Sequence, residues 1–554
     1  MKEYKVVMIV NIFCNRVKSI LLIPVYKFLK KHIDYYKWNY YVVWKAVLKY
    51  NWRHFRRDSS LHMADIYADN MILQSDVRLK IRGNACPGDR IVVTLGEVER
   101  DTFTGSDGRW CVVLPPFGAG YRTYDLRVRN GRRLLVFRNV MIGEVWLVAG
   151  ASVMLMRLNE AVTYAEEFEN YEKEATGAIR FFIRKEVVKG GKDVWSSLFC
   201  RYINKYTILN FSPWQTVEKD KLRNLPAYAY YFSKKLSCTL DVPVGMVCMA
   251  ISGTPIEAWV ERELLAEEVP ELLFKGRKSQ FGFSRNEIPV HIKKSKDPYQ
   301  KHYYNPAFCF ESQIRPLDKF PVKGVLFGGF PWGNEMEFYL KPLFTLFVRS
   351  LRNNWGEQLP VFYLQLFREP GFPILPCLRD LLRQMEQVLE RTGMVVYHDT
   401  CEKEKDYLLH PVRRKEVGER FARLALHDVY DKDIIRSGPD YQEARLLGNL
   451  IRIKFKWSKG LCTSDGESLR SFEIAGVDSL FIPVDAKIVA DEIIIDYSGI
   501  LMEPRYVRYA WKDYTDGNLV NGEMLPASTL WKKLVRCPEM QNGICSSRFY
   551  LCLE

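Results

Sequence analysis

Five short, continuously apolar stretches constrain the fold of this chain more than any other feature. Longer segments separate them, and in those segments apolar residues recur at helical spacing, as at 227–240 and 377–392. A strand without polar alternation is buried on both faces, and strands that alternate with helices form a parallel sheet with helices on both sides. The sequence therefore predicts an α/β domain with buried strands at 145–149, 243–250, 322–328, 360–366 and 394–397.

Two other regions favour β-structure without intervening helices. Residues 59–141 contain five short β-rich runs separated by turn sequences, which is typical of a small β-sandwich. After about residue 436 the chain returns to strands, at 450–455, 488–496 and 506–510. We therefore divide the chain into a basic N-terminal segment at 1–58, a β-sandwich domain at 59–141, an α/β domain at 142–435 and a β-rich domain at 436–554.

The net charge of +15 is concentrated near the N-terminus. Residues 1–58 contain thirteen Lys and Arg against three Asp and Glu, an excess of +10 that leaves only +5 for the rest. This distribution argues against a protein that binds nucleic acid along its whole length. Between 20 and 48, apolar residues interleave with lysines at helical spacing. The segment is either a pair of helices packed on the body or an amphipathic segment that contacts a membrane surface.

Cysteine spacing and apolar runs bear on metal binding and membrane insertion. The thirteen cysteines include no Cys-x-x-Cys pair and no Cys/His cluster with zinc spacing, so we expect no metal site. No run of eighteen apolar residues occurs, so a conventional transmembrane helix is not indicated. The start of the chain resembles a secretory signal only faintly, because its apolar run is short and Asn11 interrupts it.

Ser152 is the first candidate for a catalytic residue. It follows the buried strand at 145–149 and stands where a helix is expected to begin. A helix N-terminus favours developing negative charge, which suits a serine nucleophile. Serine is also an ordinary N-cap residue, so the local sequence leaves a structural interpretation open.

The sequence around Ser152 resembles that of the sialate O-acetylesterase family of serine carbohydrate esterases. The block that opens the family's catalytic domain, usually G-E-V-W-L-C-S-G-Q-S-N-M, is similar to residues 143–154. A second specific segment, Gly-Thr-Pro-Ile-Glu-Ala-Trp, occupies 253–259. Shorter matches extend the resemblance over residues 62–530, at 69–74, 87–89, 242–245, 323–325, 359–361, 417–420, 472–476, 507–511 and 525–528.

This resemblance implies a fold, a reaction and a partner. The implied fold is a flavodoxin-like SGNH hydrolase domain, with β-sandwich-like domains on either side of it in the chain. The implied reaction removes acetyl esters from carbohydrates, typically O-acetylated sialic acids, by serine acyl transfer with a histidine base and an oxyanion hole. The family needs no metal or organic cofactor. A secreted or cell-envelope location is also implied, although the sequence shows no clear signal peptide.

The candidate site has seven residues, of which the resemblance assigns roles to four: Ser152, His410, Asp399 and Gly253. Ser152 matches the nucleophile, His410 matches the general base, and Asp399 matches an acidic position at a strand end. The residues expected to hold the oxyanion or the substrate are Gly253, Ser252, Gly329 and Trp332.

Several polar residues of the family's site are replaced in this chain. Ala151 and Val153 stand where the family has Gln and Asn, Ser252 replaces a glycine, and Leu408 replaces an acid found in many bacterial members. The family segment W-Y-Q-G-E-S-N is Phe-Gly-Gly-Phe-Pro-Trp-Gly at 327–333, which keeps none of its polar side chains.

Three functional hypotheses follow. The first is a weak carbohydrate O-acetylesterase that uses Ser152 and His410. The second is an inactive family member that binds a glycan in an aromatic cleft, or serves as a scaffold. The third is an esterase of altered substrate range, in which Asp399 or Asp406 orients His410 and Trp332 reshapes the pocket. The cleft of the second hypothesis would be formed by Phe327, Phe330, Trp332 and Trp259.

Overall fold

The computed structural model describes residues 61–131, 133–171, 177–185, 210–211, 213–274, 305–329, 336–367, 372–400 and 411–536. The N-terminal segment at 1–58, His410 and Trp332 lie outside these residues. The helices are α1 Tyr164–Glu169, α2 Ala227–Leu240, α3 Arg262–Glu268, α4 Pro270–Phe274, α5 Met336–Trp355, α6 Leu375–Val388 and α7 Arg414–Asp428. The strands up to the end of the α/β domain are β1 Ile72–Gln74, β2 Leu79–Asn84, β3 Arg90–Leu95, β4 Val98–Phe103, β5 Arg109–Leu114, β6 Gly120–Asn130, β7 Arg133–Gly150, β8 Ile179–Lys185, β9 Asn210–Phe211, β10 Gln215–Thr216, β11 Val244–Cys248, β12 Gly324–Gly328, β13 Val361–Leu364 and β14 Thr392–Val395. The later strands are β15 Asp440–Leu447, β16 Leu450–Lys456, β17 Cys462–Thr463, β18 Phe472–Ala475, β19 Ile482–Pro483, β20 Lys487–Val489, β21 Glu492–Asp496, β22 Tyr506–Tyr509, β23 Leu519–Val520, β24 Leu530–Lys533 and β25 Val535–Arg536.

The centre of the molecule is a large sheet whose strands run in the order β10-β8-β11-β7-β12-β13-β14. The strands from β8 to β14 in this order are parallel, and β10 at the edge is antiparallel. The five predicted buried strands correspond to β7, β11, β12, β13 and β14. Strand β8 was not predicted, because Arg180 interrupts its apolar run. Arg180 is nevertheless buried, and its guanidinium donates hydrogen bonds to the Asn139 and Met71 carbonyls.

Helices cover both faces of this sheet, as predicted. Trp146 and Val148 of β7 share a buried cluster with residues of α2 and α7, such as Phe232 and Phe421. Val145 and Leu147 alternate with them and belong to a second cluster that includes residues of α5 and α6. The mixed α/β architecture is therefore confirmed, and the alternation of β7 follows from the two-residue period of a strand.

Strand β7 joins the N-terminal β-unit to the central sheet. Its first half pairs with β6 and its second half pairs with β11 and β12, so the runs at 134–137 and 145–149 form one strand of 18 residues. The boundary placed between residues 141 and 142 falls inside this strand. The division into four domains stays a prediction.

Glu144, at the amino end of the parallel strands, forms hydrogen bonds with β1, with the residue after β1 and with a residue after α7. Its carboxylate accepts hydrogen bonds from Ser75 Oγ at 2.6 Å, Gln74 Nε2 at 3.1 Å and Tyr430 OH at 2.7 Å. Glu144 is almost fully buried, so these donors replace the water that a carboxylate needs. The acidic residue of the block at 143–154 thus has a structural role, at the opposite end of the sheet from Ser152.

The C-terminal unit consists of additional sheets around a core of its own. Their strand orders are β20-β21-β16-β15-β25, β19-β18-β22-β24 and β17-β23. The run predicted as one strand at 488–496 forms β20 and β21, because Ala490 and Asp491 adopt positive φ angles and turn the chain. Within the described residues, no helix is long and apolar enough to cross a membrane.

Candidate functional site

The predicted nucleophile and the predicted oxyanion residues follow three neighbouring parallel strands. β7 lies between β11 and β12, so the carboxyl ends of the three strands share one edge of the sheet. Ser152 follows β7, Ser252 and Gly253 follow β11, and Gly329 follows β12. The chain leaves β7 toward one side of the sheet and later crosses to β12 on the other side. Such a switch in strand order is the usual ligand site of an open α/β sheet.

Backbone hydrogen bonds tie these three strand ends together. The Ala151 N–H donates to the Gly328 carbonyl at 2.6 Å, and the Ile251 N–H donates to the Gly150 carbonyl at 2.8 Å. Gly150 has a φ of +109°, and a Cβ there would lie 2.1 Å from the Gly328 carbonyl oxygen. Only glycine fits this close approach. The loop that carries Ser152 is therefore fixed on both sides.

Ser152 opens a 3-10 helix, Ser152–Leu155, and is partly buried. The helix has a single turn, so its dipole can contribute much less than the sequence analysis expected. Val153 and Met154 are fully buried and pack on Gly328, where an added Cβ would lie within 3 Å of both side chains. Val153, at the position where the family has Asn, is thus part of the hydrophobic core.

The loop after β11 contributes Gly253, which is partly exposed and has a φ of +71°. Ser252 beside it is exposed. The next residue, Thr254, is buried, and its hydroxyl donates to the Ile251 carbonyl at 3.0 Å. Trp259 Nε1 donates to Thr254 Oγ1 at 2.9 Å. The turn at Gly253 is therefore held by side chains beneath it.

The sequence predicts an aromatic cleft of four residues near this site, and this prediction is wrong for two of them, Trp259 and Phe327. Trp259 is fully buried, and Phe327 is 2% exposed. The Phe327 ring packs on Phe347 of α5 at a centroid distance of 4.2 Å. These two rings belong to the hydrophobic core and cannot contact a glycan. Phe330 and Trp332 lie outside the described residues.

Asp399 lies beyond β14 at the same edge of the sheet and binds Arg420 of α7. Its two carboxylate oxygens accept hydrogen bonds from Arg420 Nη1 and Nη2, each at 2.6 Å, and Arg420 Nη1 also donates to the Val396 carbonyl. Burial alone would raise the pKa of Asp399, but the charge and hydrogen bonds of Arg420 outweigh burial and lower the pKa. Asp399 is therefore a carboxylate anchored to an arginine.

The pairing of Arg420 with Asp399 was not predicted from the sequence, where Arg420 belongs to one of the segments that match the family. One signal was available, since Arg420 lies among the apolar residues Val417, Phe421 and Leu424 on a helix, where a charge needs a partner.

Both sides of the segment 401–410 are described, although His410 itself is not. The Arg413 N–H donates to the Thr400 carbonyl at 3.4 Å, so these two residues, one on either side of the segment, are in contact. The Val162 N–H donates to the Val412 carbonyl at 3.1 Å, and Arg414 Nη1 donates to Glu160 Oε2 at 2.9 Å. Residues 411–414 thus lie beside residues 157–162, which follow Ser152 in the chain.

Within the described residues, no group of three or more His, Cys, Asp or Glu side chains could hold a metal ion. Among the described residues, this edge carries the hydroxyls of Ser152 and Ser252, backbone N–H groups and the arginine-bound carboxylate of Asp399.

Comparison with known proteins gives sequence relatives and a structural relative. No protein-family model matches the chain. It is 21% identical over 499 residues to the sialate O-acetylesterase of Mus musculus, across 80% of this chain and 88% of the mouse protein. It is 22% identical to the human sialate O-acetylesterase, across 69% of this chain and 73% of the human protein. A carbohydrate acetylesterase from Xanthomonas citri has the same fold, with a TM-score of 0.69, 23% identity, and coverage of 85% of this chain and 99% of that chain.

Proposed function

We propose that this chain, which belongs to the sialate O-acetylesterase family, is a carbohydrate O-acetylesterase that removes acetyl esters from sugars by serine acyl transfer. We also assign its α/β domain to the flavodoxin-like SGNH hydrolase type. The observation that carries the proposal is the placement of Ser152 at the carboxyl end of β7, between the loops that carry Gly253 and Gly329. The relatives named sialate O-acetylesterase support the same reaction class.

In the proposed reaction, Ser152 Oγ attacks the acetyl carbonyl carbon while His410 accepts the hydroxyl proton. The backbone N–H groups of Ser152 and Gly253 hold the oxyanion of the tetrahedral intermediate. His410 returns the proton to the departing sugar hydroxyl, which leaves an acetyl group on Ser152. A water molecule activated by His410 then releases acetate.

The contacts around residues 411–414 support a role for His410. Those residues lie beside the segment that follows Ser152, and the Arg413 N–H donates to the carbonyl of Thr400, which follows β14. The role of Asp399 in the proposal is indirect. Its carboxylate orients His410 only if it accepts a further hydrogen bond in addition to those from Arg420, which its remaining lone pairs allow.

The test is release of acetate from an activated aryl acetate and from O-acetylated sialic acid. We expect Ser152→Ala and His410→Ala to reduce the rate to background. Ser106→Ala changes an exposed serine in a turn of the N-terminal β-unit and should leave the rate unchanged. Equal rates for the unmodified protein and Ser152→Ala would contradict the proposal.

A further inference from the structure

The four-stranded sheet β19-β18-β22-β24 of the C-terminal unit has one buried face and one outer face. Phe472, Ile474, Val507 and Tyr509 are at most 1% exposed and point into the core. Side chains alternate along a strand, so the residues between them point outward. The register places Glu473 opposite Arg508 and Arg508 opposite Trp531. One row across the outer face therefore contains an acid, an arginine and a tryptophan.

Two aromatic rings form a platform on this outer face. The rings of Trp531 and Tyr506 are nearly parallel, with an interplanar angle of 12° and centroids 5.3 Å apart. Trp531 is 40% exposed, which is unusual because tryptophan is highly buried on average. The stacked Tyr506 ring is only partly exposed and holds the indole in place. The exposed part of Trp531 suits a ligand with an apolar face, such as the C–H face of a pyranose ring.

Polar groups in a fixed arrangement stand beside this platform. Arg508 Nε and Nη2 donate to the two carboxylate oxygens of Glu473, at 2.8 and 3.1 Å. The guanidinium also lies over the Phe481 ring, with its central carbon 3.9 Å from the ring centroid. The side chains of Arg508 and Glu473 are 21% and 17% exposed. Arginine has five N–H donors and a carboxylate has about four acceptor sites, so the exposed part of the pair keeps some capacity to bind hydroxyl groups. Its geometry is set before a ligand arrives.

The net charge of this outer face indicates which class of ligand it can bind. The pair Glu473–Arg508 is neutral as a whole, and Lys533 at the rim adds a single positive charge. Nucleic acid requires several cationic contacts with phosphates, which this face does not supply. A neutral sugar has an apolar ring face for Trp531, and hydroxyl groups for the exposed part of the ion pair. We propose that this outer face is a carbohydrate-binding site for a neutral chain of pyranose sugars.

This site is separate from the proposed esterase site and does not depend on it. It belongs to strands of the C-terminal unit, whereas Ser152 lies at the edge of the central sheet. Binding at the platform requires no acyl transfer. If the protein is an esterase, the platform would keep a glycan chain near the enzyme and raise the local concentration of its acetyl esters.

The experiment uses the full-length protein in isothermal titration calorimetry with xylohexaose, maltohexaose and chitohexaose, and with sialyllactose as the acidic comparison. We expect at least one neutral hexasaccharide to bind, and Trp531→Ala to weaken that binding by about tenfold or more, as loss of an aromatic anchor does. Tyr506→Ala should weaken it as well. Phe103→Ala removes a ring that is 67% exposed on the N-terminal β-unit and should bind as the unmodified protein does. Ser152→Ala should also bind normally.

Three outcomes would overturn this inference. One is that none of the neutral hexasaccharides binds the unmodified protein. Another is that Trp531→Ala binds as tightly as the unmodified protein, with both proteins folded by circular dichroism. The third is binding of sialyllactose alone. The acetate-release assay with an aryl acetate does not involve the platform, so a failure of the esterase proposal would be seen separately.

Discussion

At the scale of single residues, the burial of Val153 limits the proposed chemistry most. Its side chain is 1% exposed and packs on Gly328, so it offers no hydrogen bond where the family has Asn. The remaining donors for the oxyanion are backbone N–H groups. Losing one side-chain donor from an oxyanion hole typically lowers turnover by about 10² to 10³.

We therefore expect slow turnover. In the acetate-release assay, kcat should lie well below about 10 s⁻¹, the median for enzymes, and still depend on Ser152. Absence of the residue that normally orients the base lowers the rate further, by about 10⁴ in serine proteases, although such deficits need not add. A kcat above that median, abolished by Ser152→Ala, would establish the esterase and show that the backbone donors suffice.

The pair Asp399–Arg420 gives a second prediction at this scale. Arg420→Leu leaves a mostly buried carboxylate without its partner, so we expect a loss of about 3 kcal/mol in the free energy of unfolding at pH 7. Arg420 lowers the pKa of Asp399, so its stabilisation is present above the unfolded pKa and is lost as pH falls through the folded pKa. The difference between the two proteins should therefore be nearly constant from pH 7 to about pH 5 and shrink as pH falls below about 4, the unfolded pKa of an aspartate.

Urea unfolding at a series of pH values measures this difference. Arg90→Leu is the matched control, because Arg90 pairs with Asp101 on the surface, where an ion pair contributes at most about 1 kcal/mol. Equal losses for the two variants would contradict the buried role of Arg420.

At the scale of elements, the site depends on how closely β7 and β12 approach each other at their carboxyl ends. Gly150 and Gly328 allow the backbones of the two strands to approach closely. The hydrogen bond from the Ala151 N–H to the Gly328 carbonyl fixes the start of the Ser152 turn. The same strand is fastened at its middle by Glu144, which gathers donors from β1 and from Tyr430 after α7. Strand β7 thus belongs both to the N-terminal β-unit and to the central sheet, and packing in either unit affects the position of the Ser152 loop.

Gly150→Ala should separate these strand ends. A Cβ would lie 2.1 Å from a backbone oxygen, and the φ of +109° is unfavourable for alanine. We expect a loss of about 1–3 kcal/mol in the free energy of unfolding, together with loss of any Ser152-dependent activity. Thermal unfolding and the acetate assay measure the two effects. Gly118→Ala, with no atom within 4 Å of the added Cβ, should behave as the unmodified protein.

At the scale of the whole molecule, buried charged side chains join the α/β domain to the C-terminal unit. Arg379 of α6 donates to the carbonyls of Leu366, Lys512 and Asp513, at 2.8 to 3.0 Å. Arg436 lies between Glu386 and Asp428, at 3.2 and 2.7 Å. These contacts fix the orientation of the C-terminal unit and should make the interface sensitive to pH.

Glu386 is expected to supply that pH dependence. Burial raises its pKa to about 7, although Arg436 opposes the shift. A carboxyl group with a raised folded pKa stabilises the protein fully below its unfolded pKa of about 4.5, and this stabilisation is lost as pH rises toward 7. The free energy of unfolding of Glu386→Gln, compared with the unmodified protein between pH 4.5 and 7.5, should show a smaller decline. Parallel pH profiles would rule out Glu386 as the cause.

The basic N-terminal segment gives the last prediction. Residues 1–58 carry an excess charge of +10, and each Lys or Arg near an anionic membrane surface contributes about 1 kcal/mol. We expect the full-length protein to sediment with phosphatidylserine-containing liposomes at low salt and much less at high salt. A truncated protein that begins at Asp58 should remain in the supernatant at both salt concentrations. Equal sedimentation of the two proteins would contradict a membrane role for the segment.

The sequence by itself determined the α/β class, five of the strands of the central sheet, the β-rich units on either side and the resemblance to the sialate O-acetylesterases. Continuous apolar runs and the segments at 143–154 and 253–259 are local, so they can be read along the chain. The sequence also located Ser152 and Gly253 at strand ends, because strand and turn residues follow each other directly.

Only the tertiary structure decided which side chains face the site and which face the core. Trp259, Phe327 and Val153 are buried because the sheet packs on helices that are distant in sequence, such as α5 and α2, and no local pattern shows this. The partnership of Asp399 with Arg420, and the single strand that runs from 133 to 150, likewise depend on contacts across the fold. Burial and pairing are properties of the packed chain, so the surroundings of the described candidate residues were decided there.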